Sequence, residues 1–227
     1  MSSYIELKNI SQSFEMNEAQ VTLFEGLYLT FHQGQSYAIT GPSGAGKSSL
    51  LMVASGLEQP ASGQGHYVDC DKIMPLEQAR EEIGFIFQQF HLLQELTALN
   101  NVALPLKLRG DRHAIEKAKV WLEKVGLSHR QDHTPNQLSG GEQQRVAIAR
   151  ALIFEPKFIF ADEPTGNLDQ KSADDVADIL IACCKENNAG LVMVTHSSAL
   201  ASRAQQVLSL ANNQLTDNKT INVKEAS

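Results

Sequence analysis

The sequence feature that most constrains the fold is a glycine-rich segment, GPSGAGKS, at residues 41–48. The apolar stretch SYAIT at 36–40 precedes it and predicts a strand, and SSLLMVAS follows it and predicts a helix. Glycines let the backbone curl so that successive N–H groups point inward at an anion, and the positive end of the next helix faces the same place. The segment therefore predicts an α/β fold with a phosphate-binding loop.

The polar side chains of this loop suit a nucleotide with a magnesium ion. Lys47 supplies a positive charge for β- and γ-phosphates, the Ser48 hydroxyl is a candidate Mg²⁺ ligand, and Ser49 could bond an α-phosphate. The alternative, a turn that happens to carry a lysine, does not account for the strand and helix on either side. The candidate nucleotide-binding residues here are Gly41, Pro42, Ser43, Gly44, Ala45, Gly46, Lys47, Ser48 and Ser49.

Two adjacent carboxylates follow a second apolar stretch, KFIFADE at 157–163. Ligands of open α/β sheets bind at the carboxyl ends of the strands, which is where Asp162 is expected to lie. An aspartate there is a candidate for holding Mg²⁺, and Glu163 is placed to accept a proton from an attacking water. Taken alone, an Asp-Glu pair after a strand is equally consistent with the start of a loop.

A further glycine pair occurs in LSGGEQQR at 138–145. Ser139 precedes Glu142 by three residues, which is the spacing of a helix capping box, so one interpretation is simply a helix start. However, Gly140 and Gly141 are poor helix formers. The other interpretation is that a group such as a phosphate approaches this backbone closely.

Composition limits the classes of partner and compartment. The net charge of −7 argues against nucleic acid as the main partner, because phosphate neutralisation needs a basic surface. We find no apolar run near the ~18–20 residues that cross a bilayer, and the N-terminal segment lacks the pattern of a secretory signal. We therefore expect a cytoplasmic protein. Cys183 continues a helical apolar spacing and predicts a buried thiol rather than a metal or redox site.

The remaining patterns predict a single domain over 1–227. Strands are expected at 4–10, 21–31, 36–40, 157–162, 190–195 and 207–210, and helices at 111–126, 139–153 and 171–187. A hairpin loop is expected at EMNEAQ, a turn at Asn212–Asn213 and a frayed tail from about Thr216. Because residues 89–150 read as helical, we interpret them as a helical subdomain inserted into a core of 1–88 and 151–215. The alternative is a continuous doubly wound sheet without an insert.

Taken in order, GPSGAGKS, Gln88, LSGGEQQR, FIFADEPTGNLD and VTHS resemble the ATP-binding cassette family along the whole chain. The resemblance implies a P-loop NTPase fold of the ABC-ATPase type, which has a RecA-like core, an antiparallel β subdomain and an inserted helical subdomain. It also implies ATP hydrolysis with ATP and Mg²⁺. Two subunits of that family sandwich two ATP molecules between the phosphate loop of one and the LSGG segment of the other, so a second copy of this chain is an expected partner.

The same resemblance implies further site residues. Gln88 matches a glutamine that reaches Mg²⁺ and the attacking water, and His196 matches a histidine that contacts the γ-phosphate. Asp169 matches a loop that crosses the dimer. Phe14 stands where an aromatic ring stacks on adenine, although an aromatic residue in a strand is often part of the core. Ser139, Gly140, Gly141 and Glu142 match the segment that binds the partner's ATP.

Three longer segments resemble the corresponding sequences of the lipoprotein-release, macrolide-export and cell-division ATPases: FIFQQFHLL, LTALNNVALPL and DEPTGNLD. That subfamily implies a separate integral membrane permease, driven by mechanotransmission from the cytoplasmic face of the cell membrane. Phe90, His91, Leu92 and Leu93 are expected to help form the groove for a permease helix, or else to be core. Ser197 is a departure, because such proteins usually carry aspartate after the histidine.

Two other functions stay open at this stage. A soluble cassette ATPase acting on DNA or ribosomes usually has a long coiled-coil insertion or two cassettes, whereas only about ninety residues separate Lys47 from Ser139 here. An ATP-dependent regulatory module that signals to a membrane partner has the same motifs as a transporter subunit. The sequence does not separate these last two, and it carries no information on the transported substrate.

Overall fold

The structure is a computed structural model that describes residues 2–16, 19–70 and 72–220. The strands in these ranges are β1 Tyr4–Met16, β2 Ala19–His32, β3 Ser36–Thr40, β4 Ser62–Asp69, β5 Lys72–Pro75, β6 Ile83–Ile86, β7 Phe158–Asp162, β8 Gly190–Val194, β9 Gln206–Ala211 and β10 Gln214–Thr220. The α-helices are α1 Lys47–Ala54, α2 Ala98–Leu108, α3 Ala114–Lys124, α4 Gly140–Leu152, α5 Gln170–Glu186 and α6 Ser198–Ala201.

The strands form two sheets. One is antiparallel, in the order β2-β1-β4-β5. The other has the order β10-β9-β3-β8-β7-β6, and its neighbours run parallel except for β10 and β9. This arrangement confirms the predicted α/β fold with an added antiparallel part. The N-terminal strands belong to a sheet of their own, so the strands do not form one continuous sheet.

The parallel sheet is buried on both faces, as its uninterrupted apolar strands require. Along β8, Val192 and Val194 join a cluster with α1 and the antiparallel sheet, whereas Leu191 and Met193 join a cluster with α4 and α5. The second cluster includes Cys183, which confirms the predicted buried thiol. The carboxyl ends of β3, β7 and β8 therefore lie between two packed layers.

Helices α2, α3 and α4 come between β6 and β7, which are neighbouring parallel strands. The predicted apolar face of α3 is confirmed, since Ala114, Ala118, Trp121, Leu122 and Val125 are all buried. These residues pack in the same cluster as α4, which ties the three helices to the core. The subdomain bounds at about 89 and 150 stay a prediction.

Local differences from the sequence expectation lie at element ends. Helix α3 begins at Ala114 rather than 111, because the Asp111 carboxylate accepts the backbone N–H of His113 at 2.8 Å in a preceding turn. Strand β10 runs to Thr220, so the tail expected to fray from Thr216 is paired to that point. Asn212 and Asn213 form the predicted turn with φ of 51° and 63°. The tip of the EMNEAQ loop, residues 17–18, and the last seven residues lie outside the described ranges.

Candidate functional site

The glycine-rich loop joins β3 to α1, and its backbone requires glycine at two places. Gly41 has a φ of +144°, and a Cβ there would lie 2.1 Å from the carbonyl oxygen of Leu210. Gly46 has a φ of +88°, and its Cβ would lie 2.7 Å from Cβ of Leu23. Since real Cβ atoms do not come this close to other atoms, a larger residue at either position would displace the loop from β9 or β2.

Lys47 is the first residue of α1 and only 5% exposed. Its Nζ donates to the carbonyl oxygens of Gly41 at 3.1 Å and Pro42 at 2.8 Å. Burial lowers the pKa of the Lys47 ammonium, and the charges of Glu163 and Asp162 partly offset that effect. The loop thus surrounds a buried cation whose counter-charges stand at the end of β7.

Ser48 and Asp162 meet across the loop and the end of β7. The Ser48 hydroxyl donates to Oδ1 of Asp162 at 3.0 Å. Burial raises the pKa of the Asp162 carboxyl, against the opposing effects of the Ser48 hydrogen bond and the Lys47 charge. A hydroxyl and a carboxylate are hard oxygen ligands, and Mg²⁺ uses few protein ligands because it keeps several waters. This pair therefore fits a magnesium ion that also binds phosphate oxygens.

Glu163 has an unusual backbone, with a φ of 44°, and its N–H donates to the carbonyl oxygen of Val194 at 3.0 Å. Its Oε2 accepts the backbone N–H of His196 at 3.3 Å, and its Oε1 lies 3.4 Å from Nε2 of the same residue. Oε1 is buried and makes no hydrogen bond to any described residue. Left-handed backbone at a non-glycine residue and an unsatisfied buried oxygen both occur preferentially at functional sites.

These groups line one cleft of about 550 Å³. Its predicted site residues are Ser43, Gly44, Gly46, Lys47, Ser48, Ser49, Gln88, Glu163 and His196. Asp162 reaches the same place through Ser48. The structure thus brings together the loop, the carboxylates, the glutamine and the histidine, which come from four distant parts of the sequence.

Four residues of this region were missed in the sequence. Leu23, Gly166 and Val194 line the cleft. Asn167 makes two hydrogen bonds to Gln88. Nε2 of Gln88 donates to Oδ1 of Asn167 at 3.3 Å, and Nδ2 of Asn167 donates to the carbonyl oxygen of Gln88 at 3.0 Å. The polar run PTGNLD after Glu163 was a signal for Asn167, whereas nothing local marks Leu23, which packs on Gly46 from another sheet.

The LSGG segment does not line the cleft among the described residues. Ser139 caps α4 by accepting the Glu142 N–H at 3.3 Å, and Glu142 accepts the Ser139 N–H at 2.8 Å, so the capping box is confirmed. A Cβ on Gly140 would lie 3.2 Å from Leu168, and one on Gly141 would lie 3.2 Å from Ser172. The close approach that glycines allow here is therefore made by the chain itself.

Asp169 and Phe14 also lie apart from the cleft lining. Asp169 caps α5 through the hydroxyl and backbone N–H of Ser172, and these bonds hold the pKa of its carboxyl below the usual range. Phe14 is 44% exposed in β1, opposite Val21 of β2. The alternative that Phe14 belongs to the core is wrong, and the nucleotide roles of Asp169 and Phe14 stay predictions.

The segment after Gln88 differs from the expected groove in one residue. Leu92 is 7% exposed and packs in the core, whereas Leu93 is 46% exposed. Phe90 and His91 both have left-handed backbone, and the Arg150 guanidinium donates to their carbonyl oxygens at 2.8 and 2.7 Å. Leu92 is therefore a structural residue, and the exposed part of this segment is centred on Leu93.

Comparison with known proteins finds an ABC transporter family model and relatives that are named as ATP-binding proteins. The family described as ABC transporter matches residues 24–166. The lipoprotein-releasing system ATP-binding protein LolD of Coxiella burnetii is 42% identical over 220 residues, which are 93% of this chain and 94% of that protein. The macrolide export ATP-binding/permease protein MacB of Chlorobaculum tepidum is 42% identical over 221 residues, which are 95% of this chain and 34% of that protein.

A solved structure shares the whole architecture. It is the dimeric structure of a post-hydrolysis state of the ATP-binding cassette MJ0796 bound to ADP and Pi. It matches with a TM-score of 0.81 at 34% sequence identity, over 95% of this chain and 99% of that one.

Proposed function

This chain belongs to the ABC transporter family as an ATP-binding subunit with ATPase activity, and we propose that two copies of it enclose two ATP molecules and drive a separate membrane permease. The resemblance to the lipoprotein-release and macrolide-export ATPases is confirmed by relatives of both kinds. The residue roles, the Mg²⁺ ion, the identity of the dimer partner and the permease belong to the proposal.

The observation that carries the proposal is the cleft in which Lys47, Ser48, Asp162, Glu163 and His196 converge. Lys47 is the buried positive charge for the phosphates, and its bonds to loop carbonyls keep it inside the loop. Bound Mg²⁺ would supply charge neutralisation at the β- and γ-phosphates, with Ser48 and Asp162 to hold it. The Lys47 charge and a bound Mg²⁺ would together orient the phosphates without forming a covalent bond to them.

Glu163 is the proposed general base. Glu163 lines the cleft, and its buried Oε1 makes no hydrogen bond to described residues, so the carboxylate keeps an unused acceptor for the proton of an attacking water. The bond that the Glu163 N–H donates to Val194 fixes the backbone, and the bond from the His196 N–H fixes Oε2, which leaves Oε1 in a defined direction. His196 lies on the cleft side of this carboxylate and is the proposed γ-phosphate contact.

The second copy is proposed because the cleft lacks the LSGG segment of its own chain. Ser139, Gly140, Gly141 and Glu142 are not among its lining residues in the described ranges. The MJ0796 cassette, which has the same architecture, is described as a dimer bound to ADP and Pi. We therefore assign these four residues to the ATP held by the partner copy, with Asp169 crossing the interface and Phe14 as the adenine contact.

The permease is proposed from the relatives. The name of MacB joins ATP-binding and permease functions in one protein, and this chain matches about a third of it. LolD, which this chain matches over nearly its full length, is named as the ATP-binding protein of a releasing system. Among the described residues, no helix combines the length and hydrophobicity needed to cross a membrane. We propose docking at the cytoplasmic face of the cell membrane through a permease, with Leu93 exposed at the docking segment.

Replacing Glu163 by glutamine tests the catalytic assignment. Glu163→Gln keeps the size of the side chain and leaves Lys47, Ser48 and Asp162 in place, so ATP binding should persist. Hydrolysis should fall by about 10²–10⁴-fold, the usual range for a positioned base. The variant should also accumulate as an ATP-dependent dimer in light scattering, because the nucleotide persists.

The matched control is Glu123→Gln, an exposed glutamate of α3, which should hydrolyse ATP at the parent rate. A Glu163→Gln protein that turns over ATP normally would remove Glu163 from catalysis. One that retains ATP but stays monomeric would contradict the dimer while leaving the base assignment intact.

A further inference from the structure

A carboxylate stands at the N-terminal end of α4, where the proposed dimer requires an anion to bind. Glu142 closes the capping box with Ser139, whose hydroxyl and backbone belong to the segment assigned to the partner's ATP. The Glu142 side chain is only 14% exposed, so water screens its charge poorly. An unneutralised carboxylate here would repel the phosphates that Ser139 is proposed to bind.

Protonation of Glu142 does not remove this repulsion. Burial alone would raise the pKa of its carboxyl, but bonds from the backbone and hydroxyl of Ser139, and then the Arg130 charge, hold that pKa below its usual range. The group is therefore ionised at neutral pH. Its charge has to be balanced by another side chain.

Arg130 is positioned to provide that balance. Its Nε donates to Oε1 of Glu142 at 3.0 Å, on the oxygen that the capping bond does not use. The short turn Ser128–Arg130 follows the buried Leu127, whose carbonyl oxygen accepts the Arg130 N–H at 2.9 Å. The guanidinium also lies 3.3 Å from Nε2 of His133. Arg130 is thus held from both its backbone and its side chain.

We infer that Arg130 is a positioning residue that cancels the Glu142 charge, so that the phosphates of the partner copy's ATP can approach Ser139. It acts through Glu142 and does not itself contact the nucleotide. The inference rests on the proposed ATP-sandwich dimer and deepens it. A merely structural role, in which the ion pair only stabilises the start of α4, makes a different prediction for a double variant.

The test uses Arg130→Met in the Glu163→Gln chain, with ATP-dependent dimerisation measured by light scattering. We expect the ATP concentration for half-maximal dimerisation to rise by about tenfold, because a free carboxylate then faces the phosphates. The difference should shrink as salt is added, since salt screens the repulsion. ATP affinity of the single copy, measured by calorimetry, should not change. Lys117→Met in α3, which breaks the 2.7 Å ion pair with Asp111, is the matched control and should dimerise like the parent.

Adding Glu142→Gln to Arg130→Met is the decisive step. Glutamine still accepts the Ser139 N–H but carries no charge, so dimerisation should return to within about threefold of the parent. If the double variant stays as weak as Arg130→Met, Arg130 does not act through the Glu142 charge and the inference is overturned. Normal dimerisation of Arg130→Met overturns it as well, while the proposed function stands. If the Glu163→Gln parent does not dimerise with ATP, the dimer itself is contradicted and the inference falls with it.

Discussion

The cleft and the start of α4 each place a carboxylate next to a serine hydroxyl, and the two carboxylates respond in opposite ways. In the cleft, burial raises the pKa of Asp162 despite the Ser48 bond and the Lys47 charge. At α4, bonds from Ser139 and the charge of Arg130 outweigh burial and lower the pKa of Glu142. Functional sites commonly hold groups that the protein alone does not satisfy, whereas structural caps are satisfied internally.

The difference separates two kinds of binding surface. The cleft contains unfavourably buried charge that Mg²⁺ and phosphate would relieve, and it gathers its residues from both sheets and from the segment after β6. The start of α4 is complete without a ligand, because its cap, its glycine contacts and its ion pair are all made within the chain. We therefore propose that ligand binding depends first on the cleft and that the second surface contributes only when a partner arrives.

The largest effect is expected when the α4 surface is blocked and the cleft is left intact, which tests whether the two surfaces act independently. Ser139→Arg places a long cation where the partner copy must approach. ATP affinity of the isolated chain should be unchanged in calorimetry, but steady-state hydrolysis should fall by about 100-fold, as expected when reacting groups are no longer aligned. Ser128→Arg, at an exposed serine of the same region, should keep normal turnover. Weaker ATP binding by Ser139→Arg would mean that the two surfaces are not independent.

A smaller effect is expected from the cleft lysine. Lys47→Ala removes the buried charge next to the phosphates, and charge-assisted bonds of this kind are worth roughly 1.5–3 kcal/mol each. ATP affinity should fall by at least about tenfold, measured by calorimetry, while circular dichroism reports an unchanged fold. Lys72→Ala in β5 is the control, because that lysine is exposed. Unchanged affinity in Lys47→Ala would contradict the assignment of the glycine-rich loop.

Much of the cleft could be predicted from the sequence because most of its polar residues belong to short contiguous motifs. The loop around Lys47 and the pair Asp162 and Glu163 each follow an apolar strand, and parallel strands bring their carboxyl ends to the same edge. By contrast, Leu23 and Asn167 were missed. Leu23 reaches the cleft only because the antiparallel sheet packs over the loop, and such packing leaves no local pattern.

Other features also depend on tertiary contacts. Leu92 was expected either in the permease groove or in the core, and the structure packs it in the core, a choice that an apolar residue in the sequence does not decide. The glycines at 140 and 141 already allow Leu168 and Ser172 of the same chain to approach, and their role toward a partner's phosphate stays a prediction. Arg130 carries no motif and is recognised only by its 3.0 Å contact with Glu142.

The smallest effect concerns stability, and it tests the pKa contrast directly. The folded pKa of Asp162 is raised, so its contribution to stability is fully present below the unfolded pKa of about 3.9 and is lost as pH rises through the folded value. Asp162→Asn keeps an acceptor for the Ser48 hydroxyl and carries no charge. At neutral pH without nucleotide, its Tm should therefore lie about 2 °C above the parent, a shift equivalent to somewhat less than about 1 kcal/mol.

Two comparisons make this measurement decisive. The gain should disappear when the pH is lowered toward the unfolded pKa, because both proteins are then neutral at position 162. Asp175→Asn, an exposed aspartate of α5, should show no comparable gain at neutral pH. Adding ATP with Mg²⁺ should reverse the order, because the parent should gain stability from the ion that its carboxylate is proposed to hold, and the variant should not. A lower Tm of Asp162→Asn at neutral pH without nucleotide would show that the Asp162 charge is already satisfied by Lys47, and the contrast with Glu142 would fail.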